Sequence, residues 1–548
     1  MSEQGPTGSE LSRALASRGF AYVGHDEDGW FVFSGSLISE ETPFSVRLEV
    51  DPDGKDLPRV YLAPIPAALQ PVAPHVGADG SFCYLAHGAI VLDVFDIVGQ
   101  VLACIERAEA VLGQILRGEL TQDLEEEFFS CWPQSALCLL DFEEKGHLPL
   151  SVLVLDSKDE ARPITAVSDD TNRTLSKLAA IGLSVDSTRK VTVRRVRTTA
   201  PPRALQEKWP PETVADVLKW QATLDPRARR KLEDLIHAEA KTDANSLLCI
   251  IESPRFVYAF AVEYDRREKG QRARDFKSLE VAYRSPVVPM FCLRIDDQYT
   301  AERSTPGRRT LAGKQIILVG CGTIGGFLGE YLVKAGAGTG GGALSLVDND
   351  ILLPQNVGRH RLGLNYILRN KAEALAKELR RGAPGAKLIP IPVNALQVDL
   401  SRADLIVDAT GEEAFGHLLA RKLSADAFRP MLSVWIEGPG TAIRALMRDS
   451  RDAACVRCLK TRDRSPIYKV TEGELPQMLA GHGCESLYVP FPATVSVQAA
   501  SLAADMAVDW ANANCSPRLR TRVLDPRWDS SRQLIDPAQL QECPACTT

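Results

Sequence analysis

The sequence predicts an α/β chain: an open, mostly parallel C-terminal sheet preceded by two smaller α+β units. Three observations predict it. In 315-QIILVGCGTIGGFLGEYLVKAGAG-338 an apolar run ends in a glycine turn and a helical pattern follows. From there strand-like and helix-like segments alternate as far as 404-DLIVDA-409, the pattern of a parallel sheet wound with helices. Upstream, strand-like runs cluster ahead of a long helix within residues 1–150, which is α+β order.

The elements follow in order. Residues 11–19 read as a short helix, and 29-GWFVFSGSL-37 and 44-FSVRLEV-50 alternate like strands. 58-PRVYLAP-64 continues the sheet, and a Pro- and Gly-rich loop, 74-PHVGADGSFCYL-85, comes next. Residues 92–118 are apolar at helical spacing with a stop near Gly118. In the middle, 151-SVLVLD-156 and 190-KVTVRRV-196 read as strands, 199–211 as a proline-rich bend and 227–241 as a helix. Residues 246–264 read as a strand pair around Ser253-Pro254. No catalytic constellation stands out there, which makes it a connecting domain. Strands at 315–319, 343–348, 387–393 and 404–409, with a helix at 370–381, complete the third part. The expected boundaries are 1–150, 151–300 and 301–548.

Composition narrows the function. With 548 residues, 45% apolar and 25% charged, the chain is long enough for several cores and ordinary for a globular protein. A net charge of -7 and a pI of about 5.8 argue against a general nucleic-acid binder. The opening MSEQGPTGSE is polar, unlike a signal peptide, and no apolar run reaches the ~18 residues of a membrane span. Thirteen cysteines, an odd number scattered over a long chain, suit a reducing cytoplasm with functional or metal-bound thiols.

Gly320, Gly322 and Gly325 let the backbone turn tightly and approach phosphates at a helix N-terminus. Alone they do not separate NAD from ATP, and Asp348, ending the next strand, accepts ribose hydroxyls of either. The stretch 347-VDNDILLPQNVGRHRLGLNYILRNKAEALAKEL-379 is more specific. Asp348 and Asp350 lie two apart, then come Asn356 and Arg359, and Lys371 opens a helix. A triphosphate attacked at its α-phosphorus needs cations near the leaving pyrophosphate, and Arg359 and Lys371 supply them. Hydride transfer needs no such set, which counts against an NAD dehydrogenase.

GCGTIGG, VDNDILLPQNVGRHRLG and NKAEALAKEL together resemble the Rossmann-like adenylation domain of the ThiF/MoeB and ubiquitin-activating-enzyme superfamily, over roughly residues 310–548. The resemblance implies ATP- and Mg2+-dependent adenylation of the C-terminal carboxylate of a small protein. It places Asp348 on the ribose and Asn356, Arg359 and Lys371 on the phosphates. Where the family has its magnesium-linked aspartate this chain has Gly411, and Asp408 or Glu412 is left to substitute. It also implies a homodimer in which Arg303, Arg308 or Arg309 reaches the partner's ATP.

455-CVRC-458 and 543-CPAC-546 are two Cys-x-x-Cys pairs, the donor set of a closed structural zinc site: Cys455, Cys458, Cys543 and Cys546. Cys484 differs: it sits in a Gly-rich loop before a helix, without a cysteine neighbour. Activating enzymes that form thioesters carry a cysteine in such a loop, and its thiolate attacks the acyl-adenylate. Cys321, Cys104, Cys138, Cys249 and Cys292 read as packing residues.

Cys83 follows three strands and precedes a long helix, an order that resembles ubiquitin-conjugating enzymes, and 124-LEEEFFSCW-132 looks like the tail of their bacterial members. Of the usual His-Pro-Asn only His75 is recognisable; Asp79 or backbone amides remain as stand-ins for the Asn. The full arrangement is similar to the fusion proteins of bacterial antiphage CBASS operons. That implies ligation of the C-terminus of a cGAS-like nucleotidyltransferase to a lysine of a target protein, through Cys484 and then Cys83. Activation of a separate ubiquitin-like modifier, and a non-catalytic nucleotide-binding scaffold, are the competing readings.

Overall fold

The computed structural model describes residues 8–546 except 87, 134, 143–148, 156–162, 187–190, 205–207, 243–245, 255, 265–278, 426–427, 463–467, 472–479, 481–487 and 529–535. The chain forms two compact units. One gathers residues 1–139, 150–167 and 185–293; the other gathers 140–149, 168–184 and 294–548.

The first unit opens with helix α1 (Gly8–Ala16) and strands β1 (Ala21–His25), β2 (Phe31–Ser39), β3 (Thr42–Val50), β4 (Arg59–Leu62) and β5 (Ser81–Phe82), paired in sequence order as an antiparallel meander. Alternation sets the buried face: Val46, Leu48 and Val50 of β3 and Val60 and Leu62 of β4 point inward. They meet Val101, Ile105, Ala108 and Leu112 of helix α2 (Ile97–Leu116), one stripe at helical spacing. The Asp96 side chain accepts from the Gly99 amide at 2.8 Å and caps the helix start, and Gly118, at φ +72°, follows its end. β1 carries four exposed positions and one half-buried one, so it lacks the alternation that marks a strand in the sequence. Two helical turns follow, α3 (Asp123–Glu126) and α4 (Phe128–Cys131).

The middle of the chain builds a second sheet from β6 (Ala136–Asp141), β7 (Ser151–Leu155), β8 (Ile164–Ser168), β9 (Val185–Asp186), β10 (Val191–Arg197), β11 (Ser246–Glu252), β12 (Val257–Glu263) and β13 (Val287–Arg294), in the order β10-β11-β12-β13-β6-β8-β7-β9. Helices α5 (Thr171–Ala180), α6 (Val214–Leu224), α7 (Pro226–Ala240) and α8 (Leu279–Arg284) accompany it. Its centre is aromatic: Trp132, Trp209, Trp220, Phe128 and Tyr258 pack with ring centroids 5.1 to 6.1 Å apart.

The second unit contains helix α9 (Asp297–Arg303) and then β14 (Gln315–Val319), α10 (Thr323–Lys334), β15 (Ala343–Val347), α11 (Lys371–Gly382), β16 (Leu388–Ile391), β17 (Leu405–Asp408), α12 (Glu413–Ala425), β18 (Met431–Glu437), β19 (Ala442–Arg448), α13 (Val456–Arg462), α14 (Ala493–Ala511) and β20 (Leu519–Val523). The sheet order is β16-β15-β14-β17-β18-β19-β20, parallel through β18 and antiparallel beyond. Strand order reverses at β14, between β15 and β17, which opens a crevice at the strands' C-terminal ends.

A buried charge cluster ties part of the middle sequence into this unit. Asp141, 0% exposed, takes a Lys177 Nζ contact at 2.8 Å, an Arg173 Nε contact at 3.2 Å and the Thr174 hydroxyl at 2.6 Å. Lys177 also meets Asp297 at 3.0 Å. Asp141→Ala removes the buried carboxylate shared by two cations and leaves Lys177 only the carboxylate of Asp297 and Arg173 only that of Asp169, so a loss of about 3 kcal/mol is expected. Denaturant unfolding of the full chain checks it; an unchanged midpoint would show the cluster to be dispensable.

Candidate active site

At the crevice the glycine turn is shaped by close approach. Gly320 lies at φ +86°, and a Cβ there would stand 2.9 Å from the Thr410 nitrogen. A Cβ on Gly325 would fall 1.8 Å from the Gly320 oxygen. Gly322 faces open space at the N-terminus of α10, whose dipole and unpaired amides favour an anion. The turn borders a cavity of about 620 Å³ also lined by Asp348, Asp350, Lys371, Asn394, Thr410 and Glu412.

Asp348 serves the turn itself. Its carboxylate accepts from the Cys321 amide at 2.7 Å and from the Asp350 amide at 2.8 Å. Burial pushes this carboxyl up despite those bonds. The Lys371 ammonium sits 2.9 Å from Asp350. Asn370 caps α11 by accepting from the Glu373 amide at 3.1 Å, while its Nδ2 donates to the carbonyls of Asp348 at 2.9 Å and Asp350 at 3.1 Å.

The remaining expected residues stand around the cavity. Gly325 lies behind the turn. Asn356 accepts from the Leu353 amide at 3.0 Å and shapes the Pro354–Asn356 turn outside the cavity lining. Arg359 stacks on Tyr488 at 5.4 Å and Phe491 at 4.8 Å and donates to the Val489 carbonyl at 3.3 Å, which puts it behind a wall that Val489 and Phe491 form. Gly411 and Glu412 line the cavity, while Asp408 faces an adjoining one of about 200 Å³ that shares Gly411 and Glu412. Asp408 accepts from the Thr410 hydroxyl at 2.7 Å, and burial pushes its carboxyl up to about 6. Asp348, Asp350 and Glu412 line this cavity, but among the described residues the four paired cysteines alone gather closely enough to form a metal cluster.

The four paired cysteines meet. Their sulfurs all lie within 4.8 Å of one another, with 3.7 Å between Cys455 and Cys458, Cys455 and Cys543, and Cys458 and Cys546. Tetrahedral Zn–S bonds of about 2.3 Å set edges of about 3.8 Å, so the set fits zinc. The Leu540 amide donates to Cys458 at 3.4 Å, the kind of outer bond that steadies a thiolate ligand.

Cys83 is exposed immediately after β5 and borders a groove of about 390 Å³ with Trp30, Arg59, Tyr61 and Leu85. Its amide donates to the His75 carbonyl at 2.8 Å, and the Asp79 carboxylate is folded back on the Ser81 amide at 3.0 Å. His75 itself sits between Asp123 at 3.0 Å and Glu127 at 2.5 Å. Burial pushes the Cys83 thiol up, and the nearby Glu127 charge adds to it. Cys104, Cys138, Cys249 and Cys321 are buried. Cys484 lies outside the described residues.

Two family models match the chain: the ThiF family over residues 296–543 and Prokaryotic E2 family B over residues 32–137. The ATP-dependent ubiquitin transferase-like protein Cap2 of Pseudomonas aeruginosa (strain BWHPSA011 / Pa011) is 47% identical over 542 residues, 98% of this chain and 99% of that one. The chain belongs to the Cap2 family. A Cap2 of Escherichia coli (strain TW11681) is 25% identical over 580 residues, covering 98% of this chain and 96% of its own. The crystal structure of E. coli MccB with ATP aligns at 17% identity over 43% of this chain and 66% of that one, with a TM-score of 0.32. Membership in the Cap2 family identifies an ATP-dependent, ubiquitin-transferase-like activating and conjugating protein with a ThiF domain and an E2-like domain.

Two side chains of this Cap2-family chain escaped the sequence reading. His360, 7% exposed, donates from Nε2 to the Cys321 carbonyl at 2.9 Å and accepts the Leu362 amide on Nδ1 at 3.0 Å, a tautomer assigned from those partners. Burial pushes its imidazole down to about 4, so it stays neutral and braces the glycine turn from beneath. Its signal was adjacency to Arg359 in the quoted motif. Glu127 was hidden in an acidic run, and only the fold carries it across 52 positions to His75.

Proposed function

We propose that this chain activates the C-terminal carboxylate of a partner protein, a cGAS-like nucleotidyltransferase, and ligates it to a lysine of a target in antiphage defence. The carboxylate oxygen attacks the α-phosphorus of ATP and pyrophosphate leaves. The Cys484 thiolate attacks the acyl carbon and releases AMP, forming a thioester. The Cys83 thiolate displaces Cys484, and the target amine displaces Cys83, so that an isopeptide bond forms and the thiol is regenerated. In this reading Lys371 balances the charge of the leaving pyrophosphate from within the cavity, Arg359 and Asn356 support the phosphate end from behind and beside its lining, Asp348 holds the ribose, and Asp350, Asp408 or Glu412 hold Mg2+.

The observation that carries the reading is the union, in one chain, of the Lys371-bearing cavity beside the glycine turn with an exposed thiol in an E2-like domain. A homodimer is part of it, and Arg309 is the arginine we assign to the partner's ATP. Arg308 is committed to Asp509 and Arg303 to the Tyr299 hydroxyl, whereas the Arg309 guanidinium makes no polar contact among the described residues. The Asn512 side chain grips the Arg309 backbone at 2.8 and 2.9 Å.

ATP–pyrophosphate exchange tests the reading, run with the nucleotidyltransferase intact and with its last residues removed. Exchange that requires the intact C-terminus is expected. Exchange that a Gly-Gly-ended modifier supports, and the nucleotidyltransferase does not, would move the reading to a ubiquitin-like pathway.

A further inference from the structure

No catalytic constellation stands out among the described residues of the middle of the chain, yet they grip the segment that holds Cys83. The α3–α4 stretch, residues 123–132, has two ends with different partners. At one end Phe128 (0% exposed) and Trp132 (2% exposed) stack on Trp220 at 6.0 and 5.5 Å. There the Trp132 indole donates to the Met290 carbonyl at 3.0 Å, and the Trp209 indole donates to the Cys131 carbonyl at 2.7 Å. At the other end Asp123 and Glu127 take His75 between them, and Glu127 also accepts the His75 amide at 2.7 Å. His75, held at φ +63°, accepts the Cys83 amide on its carbonyl. One peptide bond separates Glu127 from Phe128, so the anchor and the clamp are mechanically continuous.

We propose that this segment is a strut by which the middle domain fixes the geometry and reactivity of Cys83, with Asp123 and Glu127 as positioning residues that act through His75. The proposal rests on the reading of Cys83 as the acceptor thiol. It gives the middle domain a role: any shift of its aromatic core moves the carboxylates that hold the cysteine loop.

The charges around Cys83 set the sign of the effect. Glu127 is the charge that acts on it from the strut, with Asp123 and His75 beside Glu127 in the clamp, and Asp56, Arg59, Tyr61 and Tyr84 line the groove that it borders. The Glu127 bond raises the His75 imidazole against its burial, with Asp123 adding to it. Burial opposes ionisation of Glu127, but its bonds to His75 prevail and hold it low. The His75 part of the clamp is therefore complete below its ordinary value of about 6.5 and is lost as pH rises through the raised one. The Glu127 part is lost as pH falls through its lowered value.

The test is alkylation of Cys83 by iodoacetamide across pH in the full chain, read on the Cys83 peptide by mass, beside thermal unfolding. Glu127→Gln removes the charge but not the burial and is expected to move the midpoint down, so that alkylation below it is faster than in the parent chain. Glu127→Asp is expected to restore part of the shift. Phe128→Leu changes no charge and does not touch His75, yet should move the midpoint the same way because it loosens the anchor. An unmoved midpoint in Glu127→Gln overturns the positioning role. A shift in Glu127→Gln with none in Phe128→Leu overturns the strut. Should Glu127→Gln fail to fold, the other two variants carry the test. The assay contains neither ATP nor partner, so its failure leaves the relay standing, and a failed relay leaves the alkylation profile as expected here.

Discussion

Lys371→Ala is expected to lower ATP–pyrophosphate exchange by about 10²–10³-fold, the range for removing one fixed transition-state donor. The argument is one of charge balance. Asp348 and Asp350 both face the cavity, and Lys371, 13% exposed at its side chain, is the cation set against Asp350 at 2.9 Å. Without it two carboxylates confront the triphosphate, whose leaving pyrophosphate gains negative charge as its bond to the α-phosphorus breaks. Arg359, stacked on Tyr488 and Phe491 behind the wall, is not placed to take over the Asp350 contact. The Asn370 cap is untouched, so α11 persists and thermal unfolding should move little. Lys371→Arg keeps the charge and is expected to recover part of the rate. Full exchange by Lys371→Ala would remove this lysine from the chemistry.

Loss of one zinc ligand is expected to have the largest effect on the fold. A structural zinc held by four cysteines contributes on the order of 10 kcal/mol. That is comparable to the roughly 5–15 kcal/mol by which a whole protein is stable. Here the site is also core: Cys455, Cys458, Cys543 and Ala545 pack with Leu419, Leu423 and Met431 beneath α12 and β18. Cys458 is the sulfur to remove, because it meets both Cys455 and Cys546 at 3.7 Å and receives the Leu540 amide. Cys458→Ser should drop bound zinc from one per chain to none by elemental analysis and abolish the cooperative unfolding of the ThiF domain. The first unit contains none of these ligands and should still melt on its own. Stoichiometric zinc in Cys458→Ser would show that the four sulfurs are not its ligands.

How much of this was legible in the sequence depended on how local each feature is. β14, the glycine turn and β15 were readable because a buried parallel strand is a short apolar run and the turn's glycines answer to neighbouring atoms: Gly325 to Gly320, Gly320 to Thr410. The zinc set was readable because the ligand spacing within each pair is itself the signal. β1 was not, since its exposed positions erase the alternation. The Pro- and Gly-rich loop concealed how Cys83 is held, because its support comes from Glu127, 52 residues from His75 in the chain, and a charge run gives no hint of which acid faces inward. Asp348 was read as a ribose ligand; the structure adds that it clamps the turn through the Cys321 amide, a bond that depends on the pairing of β14 with β15. His360 likewise owes its role to burial, which leaves it neutral and able to bond on both ring nitrogens.

The relay from a nucleotide site to Cys83 is the central claim, and one measurement bears on it most directly. The full chain is incubated with Mg-ATP and the intact nucleotidyltransferase, and its mass is recorded before and after excess free thiol, which takes the acyl group by exchange. A thiol-sensitive adduct of the partner's mass less water is expected, mapped to Cys83, absent in Lys371→Ala, and absent from Cys83 in Cys484→Ala. Pyrophosphate release without such an adduct, or a Cys83 adduct that persists in Cys484→Ala, would contradict the relay.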